Sequence, residues 1–164
     1  MRWLSILTLL TCLLPPIALG SQPVAHAWPT VVRGTLDTNN VDVTMIQYLL
    51  CSHGYLVTVD GRFGSKTQWQ VRRFQRSQQL QTTGVVDGLT WRRLIVILRQ
   101  GSRGDAVKAA QAALQQHVES LSIDGHFGRQ TDQAVRSFEQ NNGLPTDGVI
   151  GSATWLRLTD PVPD

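Results

Sequence analysis

The sequence predicts an all-α protein of two tandem three-helix modules, set behind an N-terminal export signal. Three observations predict it. A stretch of roughly sixty residues is written twice at a constant offset. Within each copy, residues at i, i+3, i+4 and i+7, apolar except for a glutamine at i+4, mark one helix face. Short glycine-based turns separate these periodic stretches.

The first residues read as a signal rather than as part of the fold. Met1-Arg2 supplies a positive charge, and Trp3 to Leu14 is apolar except for Ser5, Thr8, Thr11 and Cys12. Pro15-Pro16 breaks any helix, and Ala25-His26-Ala27 has the small-x-small pattern of a cleavage site, so residues 1–27 are assigned to a signal peptide. A permanent membrane anchor is the alternative. Against it, the uninterrupted apolar run falls well short of the ~20 residues a spanning helix needs. Lipidation at Cys12 fits poorly, because Thr11 stands where a small unbranched residue is wanted. The chain is expected to be secreted, to the periplasm or the cell wall, with no permanent anchor.

The repeat fixes the rest. Asp60-Gly61-Arg62-Phe63-Gly64-Ser65-Lys66-Thr67 recurs as Asp124-Gly125-His126-Phe127-Gly128-Arg129-Gln130-Thr131, an offset of 64. The same offset carries Val43, Gln47 and Leu50 onto Val107, Gln111 and Leu114. It also carries Thr90-Trp91-x-x-Leu94 onto Thr154-Trp155-x-x-Leu158. Roughly a third of the aligned positions are identical without a gap. The modules are placed at 28–98 and 99–160, with 161–164 as a tail.

In each module the first helix carries Val43, Ile46, Gln47 and Leu50, or Val107, Ala110, Gln111 and Leu114. The second carries Val71 and Phe74, or Ala134, Val135 and Phe138, and Ser65-x-x-Gln68 offers a capping box at its start in copy one. The third starts near Asp87 or Ser152, both suited to an N-cap. Between helices one and two, Asp60 and Asp124 are placed to accept backbone amides in a tight turn, Gly61 and Gly125 to take positive φ, and Phe63 and Phe127 to anchor in the core. Gln47 and Gln111, amides on an apolar face, are expected to tie these loops to the core. A bundle of about 60 residues is near the lower limit for a stable core, so the modules are expected to pack on each other across a link around Arg99-Gln100-Gly101.

Composition narrows the function. Hydrophobic residues make up 41% and charged ones 16%, which excludes a charge-rich disordered chain. With Arg2 removed, fourteen Lys and Arg face twelve Asp and Glu. That is too few cations for a reader of nucleic-acid backbones, so nucleic acid is excluded as a partner. Cys51 is the single cysteine after export and reads as core or helix-end packing, with a nucleophile as the lesser reading. His53 and His117 take equivalent places after helix one, and no metal-binding spacing is present, so no metal or cofactor is expected. Arg103-Gly104-Asp105 reads as a turn and a helix cap. No nucleophile or acid/base pair can be assembled, so the chain is expected to be non-catalytic.

These motifs resemble the bacterial peptidoglycan-binding domain family. Copy two is similar nearly throughout: Asp124-Gly125-His126-Phe127-Gly128, Thr131-x-x-Ala134-Val135, Phe138-Glu139, Gly143-Leu144, Asp147-Gly148-Val149-Ile150-Gly151 and Thr154-Trp155. Copy one departs at Gln70, Gln79, Thr83 and Asp87. The resemblance implies attachment to cell-wall peptidoglycan without catalysis, usually beside a hydrolase or transpeptidase. The alternative is a protein-interaction module that recruits or restrains a wall hydrolase without binding wall itself.

A glycan or stem peptide needs a shallow cleft, aromatic faces and polar donors near loops and helix starts. The candidates are Asp60, Arg62, Thr67, Thr90 and Trp91, with Asp124, His126, Thr131, Thr154 and Trp155 as counterparts. The competing reading of both tryptophans is core, since each is spaced with Leu94 or Leu158 on a helix. Trp69 lies off its helix's apolar face and has Gln133 as its counterpart; it either stacks on a sugar or fills the contact between modules, the second being preferred. Arg62, Arg72 and Arg136 are candidates for stem-peptide carboxylates.

Overall fold

The helical periodicity of the two copies resolves into six helices. They are α1 (Asp42–Ser52), α2 (Ser65–Ser77), α3 (Gly88–Leu94), α4 (Asp105–Gln115), α5 (Arg129–Asn141) and α6 (Ser152–Leu158). The protein is described by a computed structural model over residues 27–37, 41–118 and 120–160. The export signal, except Ala27, and the tail 161–164 lie outside the described residues. Among the described residues there is no strand, only isolated bridge pairs.

Each module buries the face its spacing predicts. Val43, Ile46 and Leu50 of α1, Val71 and Phe74 of α2, and Trp91 and Leu94 of α3 are closed off from solvent, as are Val107, Leu114, Val135, Phe138, Trp155 and Leu158 in the second copy. The turn anchors Phe63 and Phe127 fill the same cores. Met45 and Leu49 of α1, and Ala109 and Ala113 of α4, are also fully buried. That extra burial has a cause: α1 and α4 pack on each other across the modules, and one continuous apolar cluster runs through both. Alanines on α4 let the two backbones approach closely. The expected contact between modules is therefore present, but not through Trp69, which is 57% exposed.

The segment around Arg99-Gln100-Gly101 is more than a link. Leu98 bridges Ile150, Gly101 N–H donates to Phe127 O (2.9 Å) and Phe127 N–H to Ser102 O (3.0 Å). Copy one has the same arm: Val31 bridges Val86, Gly34 N–H donates to Phe63 O (2.9 Å) and Phe63 N–H to Thr35 O (2.9 Å). Each arm is latched by the tryptophan of the third helix. Trp91 Nε1–H donates to Pro29 O (2.9 Å) and Trp155 Nε1–H to Val96 O (2.7 Å), and Trp28 stacks on Trp91 with centroids 5.6 Å apart.

The helix starts differ in part from expectation. Asp87 caps α3 as predicted, its carboxylate accepting Thr90 N–H at 2.8 Å. Ser152, Ser65 and Asp105 do not cap. Gly151, Gly64 and Gly104 take those sites, which puts each polar residue one step inside the helix, past the reach of the first free amides. The Ser65–Gln68 capping box is accordingly absent, and Asp105 pairs with Lys108 instead (3.0 Å). The α1 start has a cap no spacing rule identifies: Asp37, upstream in the arm, accepts Val43 and Thr44 N–H at 2.8 Å each.

Candidate functional site

The Asp-Gly-x-Phe-Gly turn is built around a buried amide. Gln47 Oε1 accepts Asp60 N–H (2.9 Å) and Gly61 N–H (3.0 Å), and its Nε2 donates to Asp60 Oδ1 (2.8 Å), Arg62 O (3.1 Å) and Thr67 Oγ1 (3.3 Å). Gln111 repeats the pattern on Gly125 N–H, Asp124, His126 O and Thr131. Both glutamines do what the sequence predicts and tie the loop to the core. The hydrogen bond from Gln47, then that from Arg62 N–H, holds the Asp60 carboxyl below its ordinary value. For Asp124 the His126 N–H leads and Gln111 follows. Gly61 and Gly125 take φ of 67° and 74°, as the turn requires.

This geometry divides the candidate residues. Thr67, Thr131, Thr90 and Thr154 are buried, and Trp91 and Trp155 are wholly so. These six side chains present little or no surface to solvent. Thr67 and Thr131 take the amide of the loop glutamine, and the Thr90 and Thr154 hydroxyls serve Asp87 and Glu139. The tryptophans spend their N–H on the arms. Asp60, Arg62, Asp124, His126 and Trp69 remain at the surface. Asp124 and His126 are engaged in their own turn, where Arg103 Nη1 contacts His126 Nδ1 at 2.6 Å. Of the stem-peptide candidates, Arg136 donates to Asp132, Thr146 O and Asp147 O, and Arg72 leans on Thr83 O (3.4 Å), so both brace the second loop.

Shallow hollows ring the first module's turn. One is lined by Arg33, Leu36, Arg62 and Ser65, another by Asp37, Tyr48, Asp60 and Arg62, and a third by Thr58, Asp60, Ser65 and Lys66. A fourth, of about 390 Å³, lies between Leu56, Ser65, Lys66, Trp69 and Gln70. Leu56 is 89% exposed. Arg73 Cζ stands 4.8 Å from the Trp69 ring and 5.7 Å from that of Tyr55, a cation held between two aromatic faces. The sequence reading missed Leu56, Ser65 and Lys66. Leu56 joins the other two from the loop after α1, while Trp69 lies one turn further along α2.

The residues with nucleophilic or metal-binding chemistry are used structurally. Cys51 Sγ is 3.5 Å from Val57 O, and His53 Nε2 is 2.8 Å from Leu94 O, so each fastens the end of α1. The His53 and His117 rings pack at a tilt against Phe74 and Phe138, and burial pulls the His117 pKa down. Among the described residues, no three His, Cys, Asp or Glu gather where they would hold a metal, and no helix is long and apolar enough to cross a membrane.

Residues 39–94 and 103–158 each match the family described as "Putative peptidoglycan binding domain". The chain is 41% identical over 64 residues to an uncharacterized protein in the bpoA1 3' region of Kitasatospora aureofaciens, covering 38% of this chain and 54% of that one. It is 34% identical over 109 residues to the N-acetylmuramoyl-L-alanine amidase CwlM of Mycobacterium tuberculosis, covering 58% and 27%. It is 37% identical over 79 residues to the zinc D-Ala-D-Ala carboxypeptidase of Streptomyces albus G, covering 46% and 30%. The chain thus spans about half or less of the length of these relatives.

Proposed function

The chain belongs to the peptidoglycan-binding domain family, and from that premise we propose that it is a secreted, non-catalytic protein that binds bacterial cell-wall peptidoglycan. The observation that carries the reading is the match of two successive modules to this family, together with the ring of open hollows around the first module's turn. The relatives named as an amidase and a carboxypeptidase resemble this chain over less than a third of their own lengths, as expected where a wall-binding module accompanies a separate enzyme. In this reading the export signal over 1–27 delivers the chain, module two buttresses module one, and Arg62, Lys66 and Trp69 meet the wall. Asp60 holds the turn that presents them.

The test is co-sedimentation of the purified chain with insoluble, protein-free peptidoglycan at low and moderate salt. Saturable retention at moderate salt is the expected result. Absence of retention overturns the reading and returns attention to a module that recruits or restrains a wall hydrolase through protein contact.

A further inference from the structure

The two copies share a fold but not a charge. Module one, 28–98, carries eight Lys and Arg against four Asp and Glu, whereas module two, 99–160, carries six against seven. The excess is not spread evenly. Lys66, Trp69, Arg73 and Arg76 of α2 recur at i, i+3, i+7 and i+10, which places them within one stripe of the helix surface. All four are exposed. The stripe runs about 15 Å from Lys66 to Arg76 at the helical rise. Tyr55 and Leu56 flank it, and Tyr55 completes the aromatic pair around Arg73.

On α5 the equivalent positions are Gln130, Gln133, Ser137 and Gln140, with neither charge nor ring. Three of the six cations of module two are instead ion-paired: Lys108 with Asp105, Arg136 with Asp132, Arg157 with Asp160. In module one, α2 contains no acidic residue at all. Among the described residues, no ion pair engages Lys66, Arg73 or Arg76. Exposed cations so close to one another repel, and the Trp69 indole, even with Arg73 against it, is 57% exposed. Both costs are relieved by one kind of molecule.

We propose that this stripe on α2 is the ligand-selecting surface of the protein, that it takes an acidic glycan strand, and that module two does not bind. The proposal rests on the wall-binding reading above and narrows it. A sugar ring lays its C–H face on the Trp69 indole, while Lys66, Arg73 and Arg76 receive carboxylate or phosphate groups along the strand. The stripe's length suits a stretch of polymer rather than a single sugar. Two wall sources present this chemistry: peptidoglycan, with its lactyl and stem-peptide carboxylates, and phosphodiester-linked polysaccharides attached to it.

The experiment is sedimentation of the full chain with three solids: intact wall, wall stripped of phosphodiester-linked polymers by hydrofluoric acid, and chitin, an uncharged aminoglycan. Lys66→Gln/Arg76→Gln leaves the Tyr55–Arg73–Trp69 stack in place and is expected to weaken retention on wall by about tenfold, with a shallower salt dependence. Trp69→Ala is expected to lose about tenfold as well. Gln130→Ala/Gln140→Ala on α5 is expected to change nothing. Because all these side chains are exposed, thermal melts should match the parent's, which separates lost binding from lost fold. Retention on both wall preparations assigns the ligand to peptidoglycan. Retention that disappears with hydrofluoric acid treatment keeps the acidic-glycan inference and overturns the peptidoglycan reading. Parent-level retention of the α2 variants, or equal retention on chitin, overturns the inference alone. Competition by an oligothymidylate as effective as that by solubilised wall fragments also overturns it, in favour of a nucleic-acid strand. A parent chain retained by none of the solids overturns both.

Discussion

The two copies answer one packing problem with different side chains, and the difference can be measured. Gln75 of α2 is buried and satisfied on both ends. Its Nε2 donates to Val85 O (2.8 Å), Thr90 Oγ1 (3.1 Å) and Thr83 Oγ1 (3.2 Å), and its Oε1 accepts Gly84 N–H (2.8 Å). Glu139 of α5 stands at the same place, equally buried, and accepts from Gly148 N–H (2.9 Å) and the Thr154 hydroxyl (3.3 Å). A carboxylate cannot donate to Val149 O as the amide donates to Val85 O. Burial pushes the Glu139 carboxyl up, opposed by Gly148 N–H and assisted by the neighbouring charge of Asp147. Glu139→Gln should therefore stabilise the protein. One or two hydrogen bonds gained, at about 0.5–1.5 kcal/mol each, give about 1–2 kcal/mol at neutral pH.

The pH dependence gives the sign. With its folded value raised, the Glu139 carboxyl keeps its proton in the folded chain after the unfolded chain has lost it. Its contribution is fully present below the ordinary glutamate value of about 4.3 and is lost as pH rises through the folded value. Glutamine has no proton to lose. Thermal melts of parent and E139Q followed by circular dichroism from pH 4 to 8 should show a gap that opens with rising pH, to roughly 3–8 °C at pH 7. A gap that is absent at pH 7, or that widens toward pH 4, refutes the account of this buried carboxyl.

Other substitutions test the remaining elements. Gln111→Leu leaves the buried Gly125 N–H without its partner, while His126 O keeps Gly128 N–H (2.8 Å), and should cost about 1–3 kcal/mol, read as a lower denaturant midpoint. Gly125→Ala forces a side chain to φ 74°, with its Cβ 3.1 Å from Lys108 Cε and 3.3 Å from Gly104 O, and should cost about 1–3 kcal/mol in the same titration. Trp155→Ala empties a fully buried site and frees the arm at Val96, for a loss of about 3–5 kcal/mol; at a temperature where the variant stays folded, wall retention should persist. Asp124→Asn should destabilise at pH 7 and converge with the parent in acid, because a depressed carboxyl gives its stability above the unfolded value and loses it as pH falls.

What could be read from the sequence follows how the repeat was written. Helices, turns, loop glutamines and phenylalanine anchors recur at the offset of 64, so a gapless comparison finds them. The arms recur at a different offset. Gly34 matches Gly101, both at positive φ, and Val31 matches Leu98, an offset of 67. Three more residues separate arm from helix in copy one, and a gapless alignment blurs the signal. The segment consequently read as a link, and the indole N–H groups of Trp91 and Trp155 had no visible partner. Their burial follows once the arms are seen, because each indole hands its N–H to an arm carbonyl and Trp28 of the first arm stacks on Trp91.

The candidate site follows a different logic. Thr67, Thr90 and their counterparts were chosen because the motif repeats them, yet repetition marked what the fold needs. A hydroxyl that satisfies a buried amide or carboxyl must be present in both copies. A ligand surface is under no such demand, and the proposed one lies where the copies differ: Trp69 against Gln133, Lys66 against Gln130, Arg76 against Gln140. The packing of α1 on α4 explains how one copy can differ freely. The contact supplies apolar burial that a bundle of about sixty residues lacks alone, and it engages the first helices, leaving the α2 stripe uncovered. Stability then rests on the shared positions, and the proposed recognition on the unshared ones. Substitutions at the first should move melting temperature, and substitutions along α2 should move retention alone.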